Sequence, residues 1–107
     1  LEAWIRVRKL PSNTVPVFAL RNRSGYRGAS VDGMQYVAGK SRQWENQSVG
    51  RFRSAEVNGP PEDTPEGGLL HIAIVYSPDH RIQIYRNGKP YGEAYLPEQG
   101  TASAKLQ

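Results

Sequence analysis

The sequence predicts an all-β, antiparallel domain, and three observations support this. The 107 residues include 11 Gly and 8 Pro, which is typical of short elements joined by many turns. Several segments alternate between apolar and polar residues at the period of two that β-strands show. The dipeptides Asp32-Gly33 and Asn87-Gly88 are favoured in tight hairpin turns. A chain of this length can bury one core, so we expect one domain.

The N-terminal segment predicts a half-buried strand. Apolar side chains alternate with polar ones along Leu1–Lys9, so that one face of the strand would contact the core. Trp4 lies on the opposite face. Two interpretations are open: it packs against further strands, or it is exposed beside Arg6 and Arg8 as a stacking surface.

A second strand is expected over Thr14–Leu20, after the turn-forming residues 11–13. Pro16 has no N–H to donate, which places that position at a sheet edge or at a bulge. We expect the first two strands to form a hairpin.

The middle of the chain predicts a strand pair and two loops. In Ala29–Ala38 the turn signal Asp32-Gly33 interrupts the apolar residues, which favours two short strands joined by a tight turn. The polar stretch Gly39–Gly50 has few periodic residues and predicts no strand. The acidic, Pro- and Gly-rich segment Asn58–Gly68 predicts a solvated surface loop.

The C-terminal third predicts a meander of three strands. Leu69–Tyr76 is the most hydrophobic run, and it is too short and too rich in β-branched residues for a helix. After a turn, Arg81–Arg86 predicts the next strand. Asn87-Gly88 then predicts a type I′ turn, in which both central residues need positive φ, and Lys89–Tyr95 predicts the returning strand.

Two motifs resemble the concanavalin A-like lectin/glucanase and laminin G-like domains. The run HIAIVY at His71–Tyr76, a short turn, and IQIYRNGK at Ile82–Lys89 are similar to a strand pair of this family. The opening LEAWI at Leu1–Ile5 is similar to another of its strands, and the motifs stand in the family's order. Within the family, the chain also resembles modules of large bacterial surface or periplasmic proteins.

The resemblance implies a two-sheet antiparallel jelly-roll sandwich. It also implies that the first and last strands lie outside the sequence given, so we expect residues 1–107 to form a single but partial domain. The location it implies is extracytoplasmic: periplasmic, cell-surface or secreted. The fold alone does not define the function, since it hosts lectins, enzymes and adhesion modules.

An enzymatic role is not expected. Retaining glucanases on this fold carry a Glu-x-Asp-x-x-Glu motif or a near variant, because hydrolysis needs two carboxyl groups about 5 Å apart. No segment of the sequence has that spacing. The nearest cluster, Glu62, Asp63 and Glu66, falls in the loop predicted to be solvated, which would not hold two carboxylates rigidly.

The leading hypothesis is a non-catalytic binding or adhesion module with carbohydrate as its ligand. Sugars are bound by an aromatic platform and a few planar polar groups, so the candidate binding residues are Trp44, Tyr26, Asp32 and Arg51. The alternative for Trp44 is that it caps the sheet. The second hypothesis is a structural spacer without a ligand, which predicts a tightly packed Trp44 with no pocket beside it. The third is a fragment of a glycoside hydrolase, which would need catalytic carboxylates supplied from outside this segment.

No cofactor or metal is expected, with calcium as the one alternative. Loop oxygens of Asp32, Asp79 and Asn87 are the ligand types that calcium prefers, although single carboxylates in turns are usually turn formers. His71 and His80 flank a strand without sharing a face, so they are interpreted as a structural residue and a turn residue.

The composition limits the partners. No apolar run approaches the length of a membrane helix, and there is no cysteine. The expected partner is carbohydrate or another domain of the same protein. A net charge of +4 favours polyanions, but the basic residues are scattered, which makes nucleic acid an unfavoured partner. A polyanion site would need arginines that converge in space: Arg6, Arg8, Arg21, Arg23, Arg27, Arg51 and Arg53.

Overall fold

The computed structural model describes residues 1–21, 30–39, 41–48 and 54–97, with the backbone alone for Arg21, Ser30 and Val31. Within these ranges the chain forms strands, turns and irregular segments, and no helix. The strands are β1 (Glu2–Arg6), β2 (Val15–Arg21), β3 (Ser30–Val37), β4 (Gln43–Ser48), β5 (Leu69–Tyr76), β6 (Ile82–Arg86) and β7 (Lys89–Tyr95). The prediction of an all-β fold is confirmed.

The strands form two antiparallel sheets that pack face to face. A four-stranded sheet has the order β1-β5-β6-β7, and a three-stranded sheet has the order β2-β3-β4. Both sheets contribute to one core, with Met34, Tyr36 and Trp44 buried from one side and Leu70, Ile72, Ile74, Ile82, Ile84 and Tyr91 from the other. Val7 and Val57, from segments outside the strands, complete it. The predicted two-sheet antiparallel sandwich is therefore confirmed.

The predicted hairpin between the first two strands is wrong. Strand β1 alternates as expected, but it pairs with β5, with Trp4 opposite His71, whereas β2 pairs with β3. Residues 7–14 thus pass from one sheet to the other. Strand β1 forms hydrogen bonds along the edge of β5, the most apolar strand. The pairing continues after β1 ends, since the Val7 amide donates to the Gly68 carbonyl at 2.9 Å.

The tight turn predicted at Asp32-Gly33 is also wrong, because β3 runs through both residues. Gly33 is needed there for close approach of two strands: a Cβ at this position would lie 2.4 Å from the carbonyl oxygen of Phe18 on β2. A glycine in an Asp-Gly dipeptide can form a tight turn, or it can lie inside a strand where two strands approach closely. The turn preference of the dipeptide does not distinguish these two roles.

A strand forms where the sequence predicts none. Strand β4 lies in the polar stretch 39–50 and pairs with β3, with Trp44 opposite Tyr36 and Asn46 opposite Met34. Both Trp44 and Asn46 are buried. Polar groups can be buried when they are hydrogen-bonded, and the Asn46 amide donates to the carboxylate of Asp32.

The predicted C-terminal meander is confirmed. Strands β5, β6 and β7 pair consecutively, and β5 buries Leu70, Ile72 and Ile74 on one face. The turn between β6 and β7 has φ of 51° at Asn87 and 81° at Gly88, the positive values that a type I′ turn requires.

Candidate functional site

The predicted sugar-binding residues do not meet on an exposed surface of the described chain. Trp44 and Asp32 lie on neighbouring strands of the three-stranded sheet, and both are buried on its core side. Tyr26 and Arg51 lie outside the described residues. The site built from these four residues stays a prediction, and the placement of Trp44 agrees with the alternative that it caps the sheet.

Trp44 is held in the core by a hydrogen bond and by aromatic packing. Only 4% of the residue is exposed, and its indole Nε1 donates to Glu62 Oε1 at 2.7 Å. The Tyr36 ring contacts it edge to face, with ring centroids 5.4 Å apart. Because the indole N–H is already paired with a buried carboxylate, Trp44 acts as a structural anchor.

Glu62 is the centre of a buried ion pair. The carboxylate accepts two hydrogen bonds from Arg86, from Nε at 2.8 Å and from Nη2 at 2.7 Å, and another from the Thr64 amide at 2.8 Å. Burial opposes its ionisation, but the hydrogen bonds from Arg86, Thr64 and Trp44 outweigh burial and lower the pKa of Glu62 to about 2. The hydrogen bond with Glu62 in turn raises the pKa of Arg86.

The expectation that the acidic loop is solvated is therefore wrong for Glu62. The Glu62 side chain is fully buried, whereas its neighbour Asp63 is 87% exposed. Glu62 is buried because it pairs with Arg86, which is 24 residues away in the sequence and lies on the core side of β6. The signal in the sequence was the alternation of β6, which places Arg86 on the same face as Ile82 and Ile84.

A second polar cluster joins the two sheets. The Asn46 amide donates to the Asp32 carboxylate, and it lies 3.2 Å from the hydroxyl of Tyr76 at the end of β5. Burial, together with the hydrogen bond to Asp32, raises the pKa of Tyr76. Asp32 is thus part of an internal network that fixes the spacing of the sheets.

The outer side of the four-stranded sheet carries an exposed aromatic surface. We define the Trp4 face as the outward side chains of β1, β5 and β6: Glu2, Trp4, Arg6, Leu69, His71, Ala73, Val75 and Tyr85. Trp4 is 66% exposed, and Leu69 and Val75 are exposed as well. The two interpretations of Trp4 were packing against further strands and exposure as a stacking surface. Within the described residues, Trp4 is exposed.

The Trp4 indole rests on a histidine that is itself held in place. Its ring centroid lies 4.6 Å from that of His71, with the planes inclined by 42°. His71 Nε2 lies 3.3 Å from Glu2 Oε1, so a carboxylate stands beside the stacked rings. His71 is therefore a supporting residue, as its structural interpretation predicts, and one face of the indole is left to solvent.

Polar groups and a small residue surround this indole. Glu2, Ala73 and Tyr85 occupy one row across three strands, in which Ala73 is the smallest side chain. On the other side of Trp4 along β1, Arg6 Nη1 donates to the Gly67 carbonyl at 2.8 Å. The Trp4 face thus combines an exposed ring with planar charged groups on both sides.

The three calcium candidates do not converge on one ion. Asp79 and Asn87 stand at opposite ends of β6, roughly 16 Å apart for five residues of strand, and Asp32 belongs to the other sheet. Calcium ligands lie about 2.4 Å from the ion. In the described ranges, no three His, Cys, Asp or Glu residues are grouped to hold a metal ion. Calcium dependence stays a prediction.

Only two of the seven arginines proposed for polyanion binding have described side chains, Arg6 and Arg8. Arg6 is bonded to the Gly67 carbonyl. The side chain of Arg21 and the whole of Arg23, Arg27, Arg51 and Arg53 lie outside the described residues. Their convergence in space stays untested.

The fold and this surface define a β-sandwich domain of the binding type, with an aromatic surface on the outside of one sheet. The family model for laminin G-like domains of the concanavalin A-like lectin/glucanases superfamily matches residues 1–106, and the chain belongs to this family. No curated protein and no solved structure matches the chain. In the described ranges, no helix is long and apolar enough to cross a membrane.

Proposed function

We propose that this domain is a non-catalytic glycan-binding module and that its binding surface is the Trp4 face. The observation that carries the proposal is the exposed Trp4 indole, supported from behind by His71. The apolar C–H face of a sugar ring packs well on an exposed indole, and planar polar groups beside it select the hydroxyl pattern. Glu2 and Arg6 supply such groups.

The charge state of Glu62 supports the non-catalytic part of the proposal. Glycoside hydrolysis needs one carboxyl group that stays protonated near neutral pH in order to donate its proton. Glu62 has its pKa lowered to about 2 and is shielded by Arg86, Thr64 and Trp44. It is therefore unsuited to act as the acid. Asp63 is exposed and hydrogen-bonded to Arg86, at 3.0 Å from its Nη2.

The setting of the module is part of the same proposal. Laminin G-like domains are commonly extracellular, which supports an extracytoplasmic location within a larger protein. The ligand is a glycan outside the cell membrane, and no cofactor is needed for contact with an exposed indole.

Isothermal titration calorimetry with a panel of oligosaccharides, with and without calcium, tests the proposal. We expect saturable binding that Trp4→Ala weakens by about tenfold, because the stacking surface is lost. The matched control is Leu20→Ala, which removes an exposed apolar side chain of β2 in the other sheet and should leave the affinity unchanged. Equal affinities of the wild type and Trp4→Ala would contradict the proposal.

A second candidate function is docking of another domain of the same protein onto the Trp4 face. The exposed side chains of Leu69 and Val75 favour it, because a protein partner buries a wider apolar area than a sugar does. A folded domain that binds none of the oligosaccharides would support this candidate. The spacer hypothesis explains the tight packing of Trp44, but a pocket lies beside that residue.

A further inference from the structure

A cavity opens between the two sheets at the segment that follows β1. Its volume is 320 Å³, within the range of small-molecule sites. Its walls are apolar: Ile5 and Val7 from the β1 side, Leu10 from the crossing segment, and Val15 and Val17 from β2. We call it the inter-sheet pocket. It adjoins the Trp4 face at Arg6, which belongs to that face and also lines the pocket, whereas Trp4 itself does not line it.

Two aromatic residues complete the lining of the inter-sheet pocket. Trp44 lines the pocket beside Tyr36. Tyr36 is 1% exposed and its hydroxyl oxygen is buried, so a ligand in the pocket contacts the ring and does not reach that oxygen. Both residues therefore add aromatic surface to the apolar walls.

The same pocket has a basic side. Arg8 and Lys9 line it, both are exposed, and within the described residues neither forms an ion pair or a hydrogen bond. An adjoining cavity of 370 Å³ shares Val7, Arg8 and Lys9 and brings Glu66 to its edge. Among the described residues, these two positive charges have no ion-pair partner and stand against one carboxylate, so the local charge favours an anion.

We propose that the inter-sheet pocket binds a small anionic amphiphile, with its apolar chain between the sheets and its anionic head at Arg8 and Lys9. The apolar walls match a hydrocarbon chain. The anionic oxygens supply the charge partner for the basic residues. This site shares Arg6 alone with the Trp4 face, and binding there involves no reaction.

Decanoate, kept below the concentration at which it forms micelles, is the probe. In the Trp4→Phe protein, Trp44 is the single tryptophan and reports from the pocket wall. We expect decanoate to change the Trp44 emission saturably and to bind at least about tenfold more tightly than decanol or decylammonium, which have the same chain with a neutral or cationic head. Equal affinity for the three probes, or no binding of decanoate, would overturn the proposal.

Variants localise the binding. Replacing both Arg8 and Lys9 by Gln should weaken decanoate about tenfold and leave decanol unchanged, whereas Arg81→Gln, an exposed change on the β5–β6 turn, should affect neither. These variants keep the apolar walls intact. Unchanged decanoate affinity in the double variant would contradict the site.

Discussion

The two tryptophans of this domain lie in opposite environments, and only that of Trp44 differs from the one that its sequence neighbourhood suggests. Trp44 stands in a polar stretch with little periodicity, yet it is buried and bonded to Glu62. Trp4 stands on the outward side of a regularly alternating strand, and it is 66% exposed. The burial of Trp44 depends on partners distant in sequence, whereas the exposure of Trp4 follows from strand alternation. Of the two indole rings, that of Trp4 is therefore the one available to a ligand on the outer surface.

Truncating each tryptophan should separate the two environments most strongly. We expect Trp44→Ala to lower the free energy of unfolding by about 4 kcal/mol, because it leaves a cavity and removes a hydrogen bond to a buried carboxylate. Trp4→Ala should cost less than about 1 kcal/mol, as for other exposed positions. Urea denaturation measures both. Similar losses of unfolding free energy in the two variants would contradict the contrast between a buried Trp44 and an exposed Trp4.

The acidic neighbours Glu62 and Asp63 provide the next test. Glu62→Gln should cost about 3 kcal/mol, because it leaves the Arg86 guanidinium partly buried without its counter-charge. Asp63→Asn, at an exposed position, should cost less than about 1 kcal/mol. Denaturation curves at neutral pH are the measurement. A tolerated Glu62→Gln would show that the ion pair does not hold the loop.

The pH dependence of stability gives a further test of the contrast between Glu62 and Asp63. The folded-state pKa of Glu62 lies at about 2, below its ordinary value of 4.5, so the unfolded chain binds the proton more readily. The contribution of Glu62 is complete above pH 4.5 and is lost as pH falls towards 2, on the order of 3 kcal/mol in total.

Thermal unfolding of the wild type and Glu62→Gln across this range measures that contribution. The stabilities of the two proteins should converge as the pH falls. Parallel pH profiles would contradict the assignment of the acid sensitivity to Glu62.

The smallest expected difference in the free energy of unfolding is between variants of two tyrosines. Tyr76→Phe should cost about 1 kcal/mol, because Asn46 is buried and loses the hydroxyl that it contacts at 3.2 Å. Tyr85→Phe, on the outer face of the same sheet, should change the free energy of unfolding by less than about 0.5 kcal/mol. A larger loss of unfolding free energy in Tyr85→Phe than in Tyr76→Phe would contradict this expectation.

The sequence predicted the parts of the fold that depend on local patterns. Alternation located β1, the apolar β-branched run Leu69–Tyr76 and the turns after it located the β5–β7 meander, and the Asn87-Gly88 turn followed from its need for positive φ. The predictions that failed depend on contacts between distant segments. Gly33 allows a close approach of Phe18 within the sheet, and β1 pairs with β5 in place of β2.

The candidate site was less predictable than the fold. The burial of Glu62 depends on Arg86, which no local pattern near Glu62 reveals. The polar strand β4 is held because the Asn46 side-chain amide donates to Asp32 and to the Tyr76 hydroxyl across the core. Trp4 was recognised as an outward residue, but alternation alone does not show whether another element covers an outward face.

The most direct test of the central claim is a two-dimensional nitrogen-15 NMR spectrum, in which Trp4 and Trp44 each give one indole N–H signal. The signals are assigned with Trp4→Phe, and the wild type is then titrated with the oligosaccharide that calorimetry selects. We predict that the Trp4 signal shifts saturably while the Trp44 signal, tied to Glu62, stays in place. A shift of the Trp44 signal with an unmoved Trp4 signal would contradict glycan binding at the Trp4 face.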